Sequence, residues 1–296
     1  MENVKIATTC GLCAGCRFAV NTAKSQVKDT KTTLFKEIVH NKNVNENLRK
    51  LGIEFKENIE DLNINETVII RAHGEPKSTF EYLDKKGISY IDCTCINVKN
   101  IHKLVEEFSN NGYVNVIIGK YGKTTGVMHP EVLGTAGWSK TDVVFIEDEE
   151  DVEKLTNLEN QKFYVTCQTT FNEQKADILI QEIEKQLANK NNIVEINKSI
   201  CFAQKAINMS SKKLAEQSDL MIVVGSKNSS NTTELYKNLC NVCKTIFVDD
   251  INKWQSILKE EGVKILKNTK IGITAGASTD PEELEILKKS IEYFIK

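Results

Sequence analysis

Thr9-Cys10-Gly11-Leu12-Cys13-Ala14-Gly15-Cys16 follows a short apolar strand, Val4 and Ile6, and leads into a helix-like run from Arg17 to Lys24. A cysteine at a strand–helix junction faces backbone donors and a helix N-terminus, which favour a thiolate. The chain repeats this junction twice. Ile91-Asp92-Cys93-Thr94-Cys95 stands before a helix predicted from Val98, and Ser199-Ile200-Cys201 before one predicted from Ala203. Cys13, Cys95 and Cys201 are read as equivalent positions of one unit repeated three times, and as residues that meet.

After each cysteine come a helix, a strand and a polar cluster: Val39-His40-Asn41, Met128-His129-Pro130-Glu131, and Asn228-Ser229-Ser230-Asn231. His40 lies 27 residues after Cys13, His129 34 after Cys95, and Ser229 28 after Cys201. The longer middle spacing reflects a loop at Lys120 to Val127. A phenylalanine with charged followers comes next each time, at Phe55, Phe145 and Phe247. A second polar cluster closes each unit: Arg71-Ala72-His73-Gly74, Gln168-Thr169-Thr170, and Ala275-Gly276-Ala277-Ser278. Apolar runs such as Val68–Ile70, Val114–Ile118 and Leu220–Val224 alternate with amphipathic ones such as Ile178 to Leu187. That alternation predicts an α/β fold with largely parallel sheets, whose ligands bind beyond the carboxyl ends of the strands. Around a pseudo-threefold axis, three thiolates and six polar clusters would share one cavity. The predicted units are 1–95, 96–197 and 198–280, with a C-terminal helix at 281–296.

The bulk numbers exclude several classes. With 296 residues and 40% apolar content the chain can bury a sizeable core. A net charge of −2 gives no reason to expect nucleic acid or a membrane surface as partner. No apolar run approaches the roughly 20 residues of a membrane span. The start, Met1-Glu2-Asn3-Val4-Lys5, has no secretory pattern, so a cytoplasmic location is expected. Nine cysteines in a reducing compartment read as metal-binding or redox-active before they read as disulfides. Cys240 and Cys243 form a Cys-x2-Cys pair with no second pair nearby, and are read as buried thiols.

Three cysteines from three units do not suit structural zinc, which wants four closed ligands. They suit a cubane iron–sulfur cluster, [4Fe-4S], with one open iron that acts as a Lewis acid while the cluster carries electrons. Ser229-Ser230-Asn231-Thr232 and Ser278-Thr279-Asp280-Pro281 each precede a helix. Alone each is an N-cap; together, with His40 and His73, they make a phosphate or diphosphate site. His102 lies at apolar-face spacing with Val98 and Val105 and is read as packing. Glu131 has two readings, a proton relay in a closed cavity or a first-turn glutamate favoured by the helix dipole.

Taken in order, Gly11-Leu12-Cys13-Ala14-Gly15, Val39-His40-Asn41, Ala72-His73-Gly74, Asp92-Cys93-Thr94-Cys95, His129-Pro130-Glu131-Val132, Gln168-Thr169-Thr170, Ile200-Cys201, Gly225 to Asn231 and Thr274 to Ser278 span nearly the whole chain. In this set the sequence resembles the LytB or IspH family of 4-hydroxy-3-methylbut-2-enyl diphosphate reductases. The resemblance implies three α/β units in a trefoil around a central cluster. It implies a reductive dehydroxylation in which the substrate's allylic hydroxyl binds the open iron held by Cys13, Cys95 and Cys201, giving isopentenyl and dimethylallyl diphosphate. On this basis Glu131 would deliver protons, Thr169 would hydrogen-bond near the leaving oxygen, and His129 would lie beside the substrate. His40, His73, Ser229, Ser230, Asn231 and Ser278 would hold the diphosphate. A ferredoxin or flavodoxin would supply electrons.

The chain departs from the family pattern close to the cysteines. Phe202-Ala203-Gln204-Lys205-Ala206-Ile207-Asn208 replaces a threonine and an Asn-Arg-Gln run. Ile96 replaces a proline, Cys16 a valine, and Cys10 and Cys93 add thiols. Groups around the sulfurs tune a cluster. The alternatives carried are therefore a paralogue with a variant cluster and another substrate, or a non-catalytic iron–sulfur or thiol redox sensor.

Overall fold

The structure, a computed structural model, describes residues 3–27, 31–39, 41–188, 190–227, 229–277 and 279–295, with Ser230 in backbone only. His40, Ser278 and the Ser230 side chain therefore lie outside the described residues.

Leu220-Met221-Ile222-Val223-Val224 shows why the sheets form as they do. All five residues are buried, so both faces of this strand are covered, as a parallel sheet with helices on both sides demands. Three such four-stranded sheets form. The first contains β2 (Thr32–Phe35), β3 (Glu54–Lys56), β4 (Thr67–Ile70) and β5 (Tyr90–Asp92), in the order β3-β2-β4-β5. The second contains β6 (Val114–Ile118), β7 (Val143–Ile146), β8 (Lys162–Cys167) and β9 (Ile193–Asn197), in the order β7-β6-β8-β9. The third contains β10 (Leu220–Val224), β11 (Lys244–Val248), β12 (Ile271–Ala275) and the first strand of the chain, β1 (Val4–Ile6), in the order β1-β12-β10-β11.

The repeat is thus cyclic. Each sheet places its second strand at one edge, then its first, third and fourth, and β1 serves as the fourth strand of the third sheet. Val4 pairs in parallel with Ile271, as Val68 does with Tyr90 and Phe163 with Val194. This differs from the expected start of the first unit at residue 1, because Val4–Ile6 bond to β12 rather than to the first sheet. Every fourth strand then hands the chain to one of the cysteines: β5 to Cys95, β9 to Cys201 and β1 to Cys13.

The helices have capping and periodicity that match their positions. In α6 (Glu173–Leu187), Ala176, Leu179, Ile183 and Leu187 are buried at steps of three and four, and the Asn172 side chain accepts from the Lys175 amide. The helix therefore begins earlier than the predicted Ile178. α10 (Pro281–Phe294) starts with proline in its first turn after the Asp280 cap, and packs Leu284, Leu287 and Ile291 against Val4, Ile271 and Ile273.

Two compact units result. One comprises Met1–Val27, Glu37–Glu54 and Phe202–Lys296, and the other Lys28–Lys36 and Phe55–Cys201. The former holds the third sheet with α1 (Ala14–Gln26), α2 (Lys42–Lys50), α7 (Phe202–Ala215), α8 (Ser230–Cys240), α9 (Trp254–Glu260) and α10. The latter holds the other two sheets with α3 (Lys77–Lys86), α4 (Ile96–Asn110), α5 (Pro130–Ala136) and α6.

Ile222, fully buried at the centre of β10, tests this core. Ile222→Ala should cost about 2–5 kcal/mol in urea unfolding. Ile64→Ser, at a residue 66% exposed, should stay within about 0.5 kcal/mol.

Candidate active site

In the unit containing the first two sheets, the loops after the strands are tied to one another. Arg71-Ala72-His73-Gly74 follows β4. Ala72 accepts the Cys95 amide at 3.0 Å, so the His73 loop and the cysteine after β5 are bonded directly. A buried charge cluster holds this loop. Arg71 Nε lies 2.7 Å from Glu75 Oε1, and Lys36 Nζ donates to Glu75 Oε2 at 3.0 Å. Gly74 has φ +75°, and a Cβ there would stand 2.5 Å from His102 Cε1. His102 is buried and stacked on Trp138 at 5.2 Å, and burial lowers its pKa to about 4, so it packs as a neutral ring.

His73 meets His129 edge-on, with ring centroids 5.4 Å apart. His129 caps α5, its Nδ1 accepting the Glu131 amide at 3.2 Å, with Pro130 in the first helical turn. The loop before it, which looks inserted, closes on itself. The His129 amide donates to the Lys120 carbonyl at 2.9 Å, so the added residues leave His129 at the helix start.

Glu131 is a first-turn glutamate, yet its carboxylate is not in solvent. It is 2% exposed and lies against the loop after β8. The Thr169 amide donates to Oε1, and Thr169 Oγ1 donates to Oε2 at 2.8 Å. Burial raises the Glu131 pKa to about 7, and the two Thr169 bonds oppose that rise. A carboxyl balanced near neutrality can hold or release a proton with little driving force in either direction. The Thr169 carbonyl accepts the Cys201 amide at 2.8 Å. Asn97, in the first turn of α4, places its side-chain nitrogen 3.4 Å from Cys201 Sγ. This unit therefore assembles Cys95, Cys201, His73, His129, Glu131 and Thr169 through adjoining contacts.

The other unit carries Cys13, Ser229 and Asn231. Cys13 stands at the N-cap of α1, held by the loop after β12: the Leu12 amide donates to the Thr279 carbonyl at 2.8 Å and the Cys13 amide to the Ala277 carbonyl at 3.3 Å. The Cys16 thiol, the amides of Cys16 and Gly15 and the Arg17 charge favour a thiolate, and despite burial they lower the Cys13 pKa to about 6. Ser229 is the N-cap of α8, accepting from the Thr232 amide at 3.4 Å and the Thr232 hydroxyl at 3.0 Å. A Cβ on Gly276 would fall 2.0 Å from Thr232 Oγ1, so glycine is required for the loop after β12 to approach this helix start. Asn231 is partly exposed in the first turn of α8.

Partly buried thiols at strand–helix junctions are the donor type that an iron–sulfur cluster takes. Cys13, Cys95 and Cys201 are partly buried thiols, each at the same end of its own sheet and directly before a helix. Cys93 is fully buried and Cys10 donates to the Ala7 carbonyl, so both extra thiols are engaged in packing. Cys240, the last residue of α8, is exposed and Cys243 is half-buried, so the pair differs from the expected buried thiols. Asn97 escaped the sequence reading. Its only sequence signal is its position two residues after Cys95.

A model of the LytB protein family matches residues 4–292. The 4-hydroxy-3-methylbut-2-enyl diphosphate reductase of Clostridioides difficile (strain 630) is 32% identical over 279 residues, 94% of each chain. That of Ehrlichia ruminantium (strain Gardel) is 33% identical over 298 residues, covering 99% of this chain and 85% of the relative. A solved structure of (E)-4-hydroxy-3-methyl-but-2-enyl diphosphate reductase, the terminal enzyme of the non-mevalonate pathway, is 32% identical with a TM-score of 0.76, covering 99% and 100% of the two chains. The E-1-hydroxy-2-methyl-but-2-enyl-4-diphosphate reductase of Plasmodium falciparum is 26% identical with a TM-score of 0.81, covering 100% and 88%.

The Glu131–Thr169 contact generates a direct test. Thr169→Ala removes a bond that lowers the Glu131 pKa, which should then rise above its value of about 7. Infrared titration of the carboxyl band should show the shift; an unmoved band would mean the hydroxyl bond does not act on the carboxylate.

Proposed function

Because the chain belongs to the LytB family, we propose that it reduces 4-hydroxy-3-methylbut-2-enyl diphosphate to isopentenyl and dimethylallyl diphosphate. Two electrons and two protons enter, and the allylic hydroxyl leaves as water. The observation that carries this reading is the buried Glu131 carboxyl held by Thr169, in the same unit as Cys95 and Cys201. A thiol sensor has no use for such a pair, so the reductase reading is preferred to the sensor.

The family is one of iron–sulfur proteins. The ligands proposed here are Cys13, Cys95 and Cys201, and the cluster proposed is [4Fe-4S]. When bound, it supplies electrons and a Lewis-acidic iron.

The chain's own residues handle the proton and the diphosphate. Protonated at Oε2, Glu131 would donate to Thr169 Oγ1, and the Thr169 hydroxyl hydrogen would then turn towards the departing oxygen. His129, fixed by its cap bond to Glu131, and His73 would line the substrate. Ser229 and Asn231 at the start of α8 would offer an anion-binding helix terminus. His40, Ser230 and Ser278 join the diphosphate set on their motif positions. Electrons would come from a ferredoxin or flavodoxin. Among the described residues no helix is long and apolar enough to cross a membrane. A cytoplasmic location is proposed because thiolate ligands need a reducing compartment.

Anaerobic iron and sulfide counting with Mössbauer spectra tests the cofactor. Four irons, one changed by the hydroxy-allylic diphosphate, are expected. Cys13→Ser, Cys95→Ser and Cys201→Ser should each abolish turnover, and retained turnover would remove that residue from the ligand set. Glu131→Gln should keep iron and sulfide while turnover falls about 10²- to 10⁴-fold. Wild-type turnover should decline as pH rises through about 7, where Glu131 loses its proton, and the variant should lack that limb.

A further inference from the structure

Phe202-Ala203-Gln204-Lys205-Ala206-Ile207-Asn208, which departs from the family pattern, has no part in the chemistry above. It opens α7. Ile207, Ser211 and Ala215 turn one side of that helix to the interior. Phe202, Lys205, Met209, Lys212 and Lys213 lie exposed on the opposite side, within an arc of about 100° at 3.6 residues per turn. Phe202 is 71% exposed and Met209 61%, so two large apolar side chains share one stripe with three lysines. Aromatic residues and methionine are apolar types enriched where proteins meet.

The charge of this stripe is one-sided. The whole chain carries 41 Asp and Glu against 39 Lys and Arg, yet α7 has no carboxylate. α1, the helix after Cys13, repeats the composition: Arg17 and Phe18 are exposed, and it too has no carboxylate. Thr8 Oγ1 lies 3.0 Å from Ser210 Oγ, and the Thr9 amide donates to the same oxygen at 3.0 Å. The loop that leads to Cys13 therefore rests against α7 at the residue after Met209. A positive, partly apolar face thus begins one residue after Cys201 and borders the Cys13 loop.

We propose that the exposed stripe of α7 is the docking surface for an acidic electron-carrier protein. The proposal rests on the reductase reading, which takes two electrons from outside the chain at every turnover. A one-electron carrier docks twice and leaves oxidised each time. The two electrons and two protons break the allylic C–O bond, form a C–H bond and release water. Lys205, Lys212 and Lys213 attract and orient a negatively charged partner, and Phe202 and Met209 supply the apolar contact that holds it at the start of α7.

The test titrates the cluster-loaded full chain, by calorimetry, with a purified acidic flavodoxin and a purified acidic ferredoxin. Turnover is measured with each reduced carrier, and separately with dithionite and methyl viologen, small reductants that need no docking surface. Binding should weaken as ionic strength rises from about 0.01 M to about 0.15 M. Lys212→Glu/Lys213→Glu should weaken binding and lower carrier-driven kcat/KM about 10- to 100-fold, with viologen-driven turnover unchanged. Lys212→Gln/Lys213→Gln, which puts no carboxylate at the helix end, should give a smaller loss in the same direction. Met209→Ser should weaken binding and leave its salt dependence as it was. Lys85→Glu/Lys86→Glu, the same change in the last turn of α3, should alter neither binding nor turnover. Equal losses in the α3 and α7 pairs, or no loss in the α7 pair, would overturn the proposal. So would wild-type binding that ignores salt, or no binding of either carrier. Absence of viologen-driven turnover in the wild type would overturn the reductase reading alone, because the binding titrations still decide the surface.

Discussion

The structure depends on what happens at the carboxyl end of a sheet's fourth strand. There the chain leaves the ladder and enters a helix whose first amides have no partner inside the helix. β1, β5 and β9 each end in this way, and a cysteine stands at each junction. Parallel strands all release their chains on the same side of a sheet, so the polar loops after β4, β8 and β12 gather with the cysteine loops of their own sheets. The Ala72–Cys95, Thr169–Cys201 and Ala277–Cys13 backbone bonds are the same contact made three times. Cysteine, loop and helix start are thereby placed by backbone geometry, which leaves the side chains free to differ among the three repeats.

That freedom accounts for the division of labour. In the second repeat the cap position that Ser229 fills in the third holds His129, the position of Asn231 holds Glu131, and α5 is only seven residues long. The Glu131 carboxyl is enclosed by its own short helix and the Thr169 turn, and enclosure raises its affinity for a proton while Thr169 stabilises the charged form. In the third repeat, glycine at 276 lets the loop and the start of α8 approach, and Thr232 fills the space beside the Ser229 cap. One backbone plan thus supports an enclosed carboxyl in one repeat and a closely packed, capped helix start in another.

The same reasoning places the extra thiols. Cys93 is absorbed into the core and Cys10 is bonded to backbone. Cys16 is neither fully buried nor on a loop, and stands in the first turn of α1. Its position one helical turn after Cys13 puts it on the same side of α1. The departures around the first cysteine are therefore distinct in consequence, although they look alike as a cluster of sulfur in the sequence.

The sequence by itself determined the parallel α/β class, the threefold repeat and the identity of the junction cysteines, because strand periodicity, helix entry and residue spacing are local properties. It also marked His73, His129, Glu131 and Thr169 as loop residues after strands. It left Glu131 undecided between an ordinary first-turn glutamate and a proton carrier, since that depends on whether the carboxyl is solvated, and Thr169 lies 38 residues away. The pairing of β1 with β12 was equally out of reach of local reading, because it joins Val4 to Ile271 across nearly the whole chain. Burial, cyclic closure of the repeat and the Asn97–Cys201 contact were decided only by tertiary structure, because each arises where segments distant in sequence exclude water together.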